Sequence, residues 1–253
     1  MKDPVSYRLI ELPETTSTND EVKCRLPETE EKYLVVSTPC QTAGRGQVGN
    51  KWESEVGKNL LYSIGVKPLF LPPRRQFILL QAASLAICTV LDGYADGFTI
   101  KWPNDIYFGE LKISGTLIEN ELRGSQFRHC VLGTGINLNQ TSFSPYPPNP
   151  VSLKMIIGRE TDSRQVLHGI VMQFIRYYEA LEQGGEDDIR KEYQARLFRR
   201  EGFHTYRDAL GTFKARIDGI EPDGRLLLRD TDGYLRCYGF KEVKYLLEKT
   251  ECN

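Results

Sequence analysis

The sequence predicts an α+β fold in two parts, a larger helix-and-strand domain over residues 1–200 and a small all-β module over residues 201–253. Three observations lead there. Strand-like and helical apolar patterns interleave through the first part, and a helix and a strand differ in the period at which apolar residues recur. Two long segments, 74–92 and 163–183, carry apolar residues at helical spacing. Beyond residue 203 the chain turns to short strands at 212–217, 225–229 and 234–240, joined by Pro222-Asp223-Gly224 and Asp230-Thr231-Asp232-Gly233. Both connections are hairpin signals, because Asp and Gly accept the backbone angles of tight turns.

The first strand is expected at Tyr7–Leu12. A helix should start near Ser17-Thr18-Asn19-Asp20, where Ser17 and the acid three residues on resemble a capping box. Hydroxyls and an amide at a helix start serve capping in most proteins, and a polar ligand pocket in some. A strand at 33–37 leads to Gln41 and then to Gly44-Arg45-Gly46-Gln47-Val48-Gly49-Asn50-Lys51-Trp52. This run matches G-x-G-x-x-G, but no apolar helix follows it and no Walker-type lysine ends it, so a dinucleotide or P-loop site is not indicated. It reads instead as a loop whose glycines permit close approach and whose Arg45 can clamp a carboxylate or phosphate.

A strand at 59–66 precedes the helix at 74–92, and a strand then runs into Lys101-Trp102-Pro103-Asn104-Asp105. Pro103 has no N–H to donate, so the strand should stop there and a turn should follow. Lys112 and Gly115 come shortly after, and an amide, a carboxylate and an ammonium at a strand end suit an anionic ligand with a metal ion. Strands at 115–122 and 128–136 end in Gly133-Thr134-Gly135, where small residues suggest that something comes close to the backbone. Helices at 163–183 and 186–198 complete the first part.

Composition narrows the function. With 33 Lys+Arg against 34 Asp+Glu the net charge is −1, so bulk charge asks for no nucleic-acid partner. No stretch reaches the roughly 20 apolar residues of a membrane span. Met1–Pro4 has no apolar signal core, and a cytoplasmic protein is expected. Six cysteines without a C-x-x-C pair should be reduced and mostly buried, and three scattered histidines lack zinc spacing.

Taken together, Gly44–Trp52, Lys101–Asp105 with Lys112-Ile113-Ser114-Gly115, and Gly133-Thr134-Gly135-Ile136-Asn137 resemble the biotin–protein ligase family in order and spacing. The resemblance implies a central mixed β-sheet flanked by helices, the class II synthetase-like fold, followed by an SH3-like β-barrel. It implies an ATP-dependent enzyme that makes biotinyl-5′-AMP and passes the biotinyl group to one lysine of a biotin carboxyl carrier domain. The substrates would be biotin and MgATP, with no tightly bound cofactor. Carried over by residue, Ser17, Thr18, Asn19, Gln41, Arg45, Gly46, Gln47, Lys112 and Gly115 would bind biotin. Trp52, Lys101, Asn104, Asp105 and Asn137 would hold the nucleotide, with Asp105 as the magnesium-linked carboxylate. Lys112 and Arg45 would be the catalytic cations. A monomer or a homodimer is consistent with this, and no membrane partner is expected.

Two departures follow. Many family members have an arginine where this chain has Gln47, so the loop carries less charge and should hold the adenylate more by hydrogen bonds. Some members carry an N-terminal winged helix; about 16 residues precede Ser17, too few for one, and operator binding is not expected. The rival readings are a lipoate or octanoate ligase or transferase, for which Cys40 would be the nucleophile to test, and a non-catalytic biotin sensor, which would not need Lys112, Arg45 and Asp105 together. Nucleic-acid binding by the C-terminal module is disfavoured by its mixed charges.

Overall fold

The computed structural model describes residues 6–46, 52–144 and 149–246. Its centre is a seven-stranded sheet built from β1 (Arg8–Glu11), β2 (Leu34–Thr38), β3 (Leu60–Val66), β4 (Phe98–Lys101), β5 (Asp105–Phe108), β6 (Leu111–Arg123) and β7 (Gln126–Ile136). The strand order is β1-β2-β3-β7-β6-β5-β4. Only β1 and β2 run parallel, so the sheet is mixed as expected.

Helix α1 (Thr18–Arg25) covers one face, where Val22 and Leu26 pack on Leu34, Val36 and Val131. The other face carries α2 (Phe77–Leu91), α4 (Ser163–Glu182) and α5 (Glu186–Ala195), which enclose the main core. A short α3 (Leu153–Ile157), capped by the Ser152 hydroxyl, was not foreseen. Helix α2 differs from its amphipathic reading. Apolar or small residues lie all round it, and residues Phe77 to Cys88 are buried without a break. Both the sheet and the two later helices cover it, so no face needs to be polar. Contrary to the sequence reading, Pro73–Leu91 is long and apolar enough by composition to cross a membrane, yet it lies within the protein core.

The second sheet has five antiparallel strands, β8 (His204–Arg207), β9 (Thr212–Ile220), β10 (Leu226–Asp230), β11 (Leu235–Tyr238) and β12 (Lys244–Tyr245), in the order β11-β10-β9-β8-β12. It is compatible with the small barrel expected. The strands β8 and β12 escaped the sequence reading, because each is short and β12 is only two residues.

Two local expectations change. Asp105 opens β5 rather than a turn, facing Lys101 across a hairpin whose loop is Trp102-Pro103-Asn104. Ser17 stands at the N-cap of α1 but its side chain makes no cap bond. Of the five free cysteines among the described residues, only Cys88 and Cys130 are buried, fewer than expected.

Candidate functional site

A cavity of about 940 Å³ opens where α1, the hairpin loop after β4, and strands β6 and β7 converge, with the end of the C-terminal sheet on its rim. One group of lining residues surrounds the start of α1. Gln41 Oε1 accepts from the Thr18 backbone N–H at 2.8 Å and from the Thr18 hydroxyl at 3.1 Å. Gln41 therefore satisfies one of the helix-start N–H groups that have no partner within the helix. The Ser63 hydroxyl lies 2.7 Å from that of Thr18 and donates to Asn19 Oδ1 at 2.5 Å. Asn19 Nδ2 in turn donates to Glu119 at 2.6 Å. This chain of bonds fixes the amide and hydroxyls in one arrangement, since buried polar groups are held wherever they find partners.

The close approach expected at Gly133-Thr134-Gly135 is now explained. A Cβ on Gly133 would stand 1.9 Å from Asn19 Oδ1, and one on Gly135 would stand 2.2 Å from Trp52 Cε2. The two glycines let the Asn19 amide and the Trp52 indole come close against β7.

A second group carries the charge. Lys112 Nζ and Asp105 Oδ1 are 2.7 Å apart, each about a fifth exposed. Gly115 makes room for both: its Cβ would lie 3.1 Å from Asp105 Oδ1 and 3.2 Å from Lys112 Nζ. Lys112 also sits over the Trp52 ring, 5.9 Å from its centroid. Lys101 is held between the rings of Tyr107 and Tyr245, at 5.2 and 5.3 Å. Burial pushes its ammonium below the usual lysine range, against the pull of Asp105. Asn104 is buried; its side-chain amide donates to the Thr116 carbonyl and its own carbonyl accepts from Thr116 N at 3.1 Å. The hairpin loop is thereby tied to β6.

Arg45 lines the cavity, but its guanidinium is engaged. It makes two 2.7 Å bonds to Asp20 and a 3.5 Å contact with Glu119. The Arg45 partnership is also the largest influence holding the Asp20 carboxyl below its usual value. Trp52 N donates to Gly44 O at 3.1 Å, closing the base of the glycine loop.

The structure thus brings Ser17, Thr18, Asn19, Gln41, Arg45, Gly46, Trp52, Lys101, Asn104, Asp105, Lys112 and Gly115 to one cavity. Gln47 lies outside the described residues. Asn137 is not in the lining: it is buried and its side-chain amide donates to the Val151 carbonyl at 3.1 Å, tying β7 to the segment before α3. Two features escaped the sequence. Asp20 and Glu119 partner Arg45, and nothing in the spacing pairs residues so far apart. Lys241, Val243, Lys244 and Tyr245 reach the cavity from the C-terminal sheet. Among the described residues no three His, Cys, Asp or Glu side chains cluster as a metal site.

The chain is similar to known proteins in sequence and in fold. The bifunctional ligase/repressor BirA of Bacillus spizizenii is 30% identical over 213 residues, 82% of this chain and 65% of its own length. The chain so spans a little under two thirds of that relative, and the same holds for the Bacillus subtilis protein. The biotin–[acetyl-CoA-carboxylase] ligase of Paracoccus denitrificans is 28% identical over 88% of this chain and 94% of its own. A biotin protein ligase from Aquifex aeolicus, solved with biotin and ATP, shares the fold with a TM-score of 0.75 at 23% identity, over 94% of this chain and 99% of that one. The Leishmania major enzyme solved with biotinyl-5-AMP gives a TM-score of 0.64 at 22% identity over 93% and 99%. The profile of the biotin/lipoate A/B protein ligase family matches residues 9–137, just over half of the chain and most of the cavity's walls, and the protein belongs to that family.

Proposed function

We propose that the protein is an ATP-dependent biotin–protein ligase. It would join biotin to AMP and then transfer the biotinyl group to a lysine of a biotin carboxyl carrier domain. The observation that carries this reading is the single cavity in which an ordered polar group around α1 adjoins the Lys112–Asp105 pair. A ureido ring and a carboxylate need those two environments side by side.

In the first step a carboxylate oxygen of biotin attacks the α-phosphorus of ATP, and the bond to pyrophosphate breaks. Two anions must meet, and charge builds on the phosphoryl oxygens. A fixed cation lowers that barrier because it is already oriented when the charge develops. Lys112 would take this role. Asp105 would supply one carboxylate oxygen to MgATP, since magnesium prefers oxygen ligands drawn from one or two carboxylates and the phosphates. Engagement of Asp105 by the metal of the substrate complex would release Lys112 from its 2.7 Å pair toward the reacting oxygens. Arg45 and Gly46 would cover the adenylate, and Arg45 would leave Asp20 to do so. Trp52 would form one wall for the nucleotide, with Lys101 behind it. Asn104 would act by holding its loop to β6. In the second step the carrier lysine attacks the acyl carbonyl and AMP leaves, so no enzyme nucleophile is required.

This assigns Cys40 no chemistry. The thiol is absent from the cavity lining, and partial burial with the neighbouring Glu14 carboxylate pushes it above the usual thiol range. A transferase mechanism would need it as thiolate. The partner would be a carrier domain of a biotin-dependent carboxylase, and the exposed thiols Cys24 and Cys237 suit a reducing, cytoplasmic setting. No specific operator binding is proposed, and a gel-shift assay with operator DNA checks it.

Biotin-dependent pyrophosphate exchange, run beside lipoate and octanoate, tests the reading. Exchange with biotin is expected; exchange only with the fatty acids overturns it.

A further inference from the structure

We propose that Trp102 is a positioning residue that docks the C-terminal sheet, so that Lys244 and Tyr245 close the nucleotide side of the cavity. The inference rests on the adenylation reading only for the identity of the ligand.

Trp102 sits in the β4–β5 hairpin loop, between Lys101 at the end of β4 and Asp105 at the start of β5. It lines the cavity, yet it is 4% exposed and its one polar side-chain atom is taken up by the C-terminal sheet. The indole Nε1 donates to the Gly224 carbonyl at 2.8 Å, in the turn between β9 and β10. The Phe240 ring meets the indole edge-on, 5.4 Å between centroids, and also packs on Phe77 of α2 at 5.9 Å. Gly224 has φ +95°, and a Cβ there would stand 2.7 Å from Phe77 Cγ. The turn is therefore seated directly on the larger domain, with a backbone conformation and a closeness that suit only glycine.

A second fastening lies further on. Arg199 donates to the Leu246 carbonyl at 3.0 Å and to Glu110 at 2.8 Å. Between these two fastenings run Lys241, Val243, Lys244 and Tyr245, all on the cavity wall. The Tyr245 ring stacks over Lys101, which is adjacent to Trp102 in sequence. One β4–β5 hairpin so holds the docking residue in its loop, the lysine beneath the docked strand at the end of β4, and the Asp105 carboxylate at the start of β5. Tilting the C-terminal sheet would move Lys244 and Tyr245 while leaving the α1 pocket, which has no lining residue from that sheet's first fastening, as it is.

The experiment is Trp102→Phe in the full chain, which removes the N–H donor and keeps a ring against Phe240, with Phe240→Leu as a second variant. Two quantities are read: amide hydrogen exchange at Tyr245 and Leu246 without ligand, and the separate affinities for MgATP and for biotin by titration. Loss of one buried hydrogen bond should speed exchange and weaken MgATP by roughly tenfold each, with biotin affinity within about twofold of the unaltered protein. Unchanged exchange and MgATP affinity would overturn the inference. So would equal loss of both ligands, the mark of general destabilisation. If the unaltered protein binds MgATP but not biotin, the acyl-substrate reading fails while the MgATP arm still decides the role of Trp102.

Discussion

Gly135→Ala tests the cavity by adding one methyl group and no charge. The new Cβ would stand 2.2 Å from Trp52 Cε2, 2.5 Å from Nε1 and 2.6 Å from Cζ2. A rigid indole cannot bend away, and the β7 backbone is paired on both sides, to β3 through Leu61 and to β6 through Gly115. The ring must therefore leave its place. Overpacking of this kind costs about 1–3 kcal/mol of stability. If Trp52 is a wall for the adenine base, losing it removes a stacking contact worth about 1–3 kcal/mol, or roughly 5- to 140-fold in affinity. The assay is the KM for ATP in pyrophosphate exchange, with the KM for biotin measured beside it and tryptophan fluorescence reporting the ring's environment. ATP should weaken by at least fivefold and biotin much less. A displaced Trp52 fluorescence signal with an unchanged KM for ATP would refute the nucleotide-wall assignment.

Lys112→Ala should lower the adenylation rate by roughly 10²–10³, the cost of one oriented donor in a dry site; a loss under tenfold would remove Lys112 from the chemistry. Cys40→Ser should leave adenylate formation within about twofold, because the thiol lies outside the cavity lining and its hydrogen bond goes to Glu14; a collapse of activity would revive the transferase reading. The acid limb of stability should involve Glu119. Burial pushes its carboxyl up, but the Asn19 amide and Lys23 ammonium outweigh this and hold it below the usual range. The unfolded chain then binds that proton more readily, so the contribution is complete above about pH 5 and is lost as pH falls through the lower folded value. Urea midpoints against pH should show a shallower acid limb for Glu119→Gln, and identical limbs would count against it. With Gln47 in place of the family's common arginine, adenylate release should depend only weakly on salt; a steep dependence would show that charge still holds it.

The strand-and-helix order was largely legible, since apolar period and turn chemistry are local properties. Misreadings arose where burial was unusual. Helix α2 is apolar all round because it is covered on every side, which a one-face stripe does not reveal. Asp105 reads as a turn former beside Pro103, but pairing with Lys101 and Gly115 places it in a strand. Strand β12 is held by β8, about 40 residues away in sequence, and both are too short in themselves to carry a pattern. Asn137 looked like a ligand residue because it follows Gly133–Ile136, whereas its side chain faces Val151.

The sequence by itself determined the residue types at the site and the loops that carry them: hydroxyls and an amide at the start of α1, an arginine among glycines, and a lysine with a carboxylate around Gly115. It also showed that something approaches the backbone at Gly133–Gly135. Only the tertiary structure decided what approaches, namely Asn19 and Trp52, and whom the charges meet: Lys112 with Asp105, Arg45 with Asp20 and Glu119. It alone brought Lys244 and Tyr245 to the cavity, through Trp102 and Gly224. The reason is distance along the chain. Propensity and period act over a few residues, while these contacts join residues from 7 to more than 120 positions apart, and sheet register and packing set which of them meet.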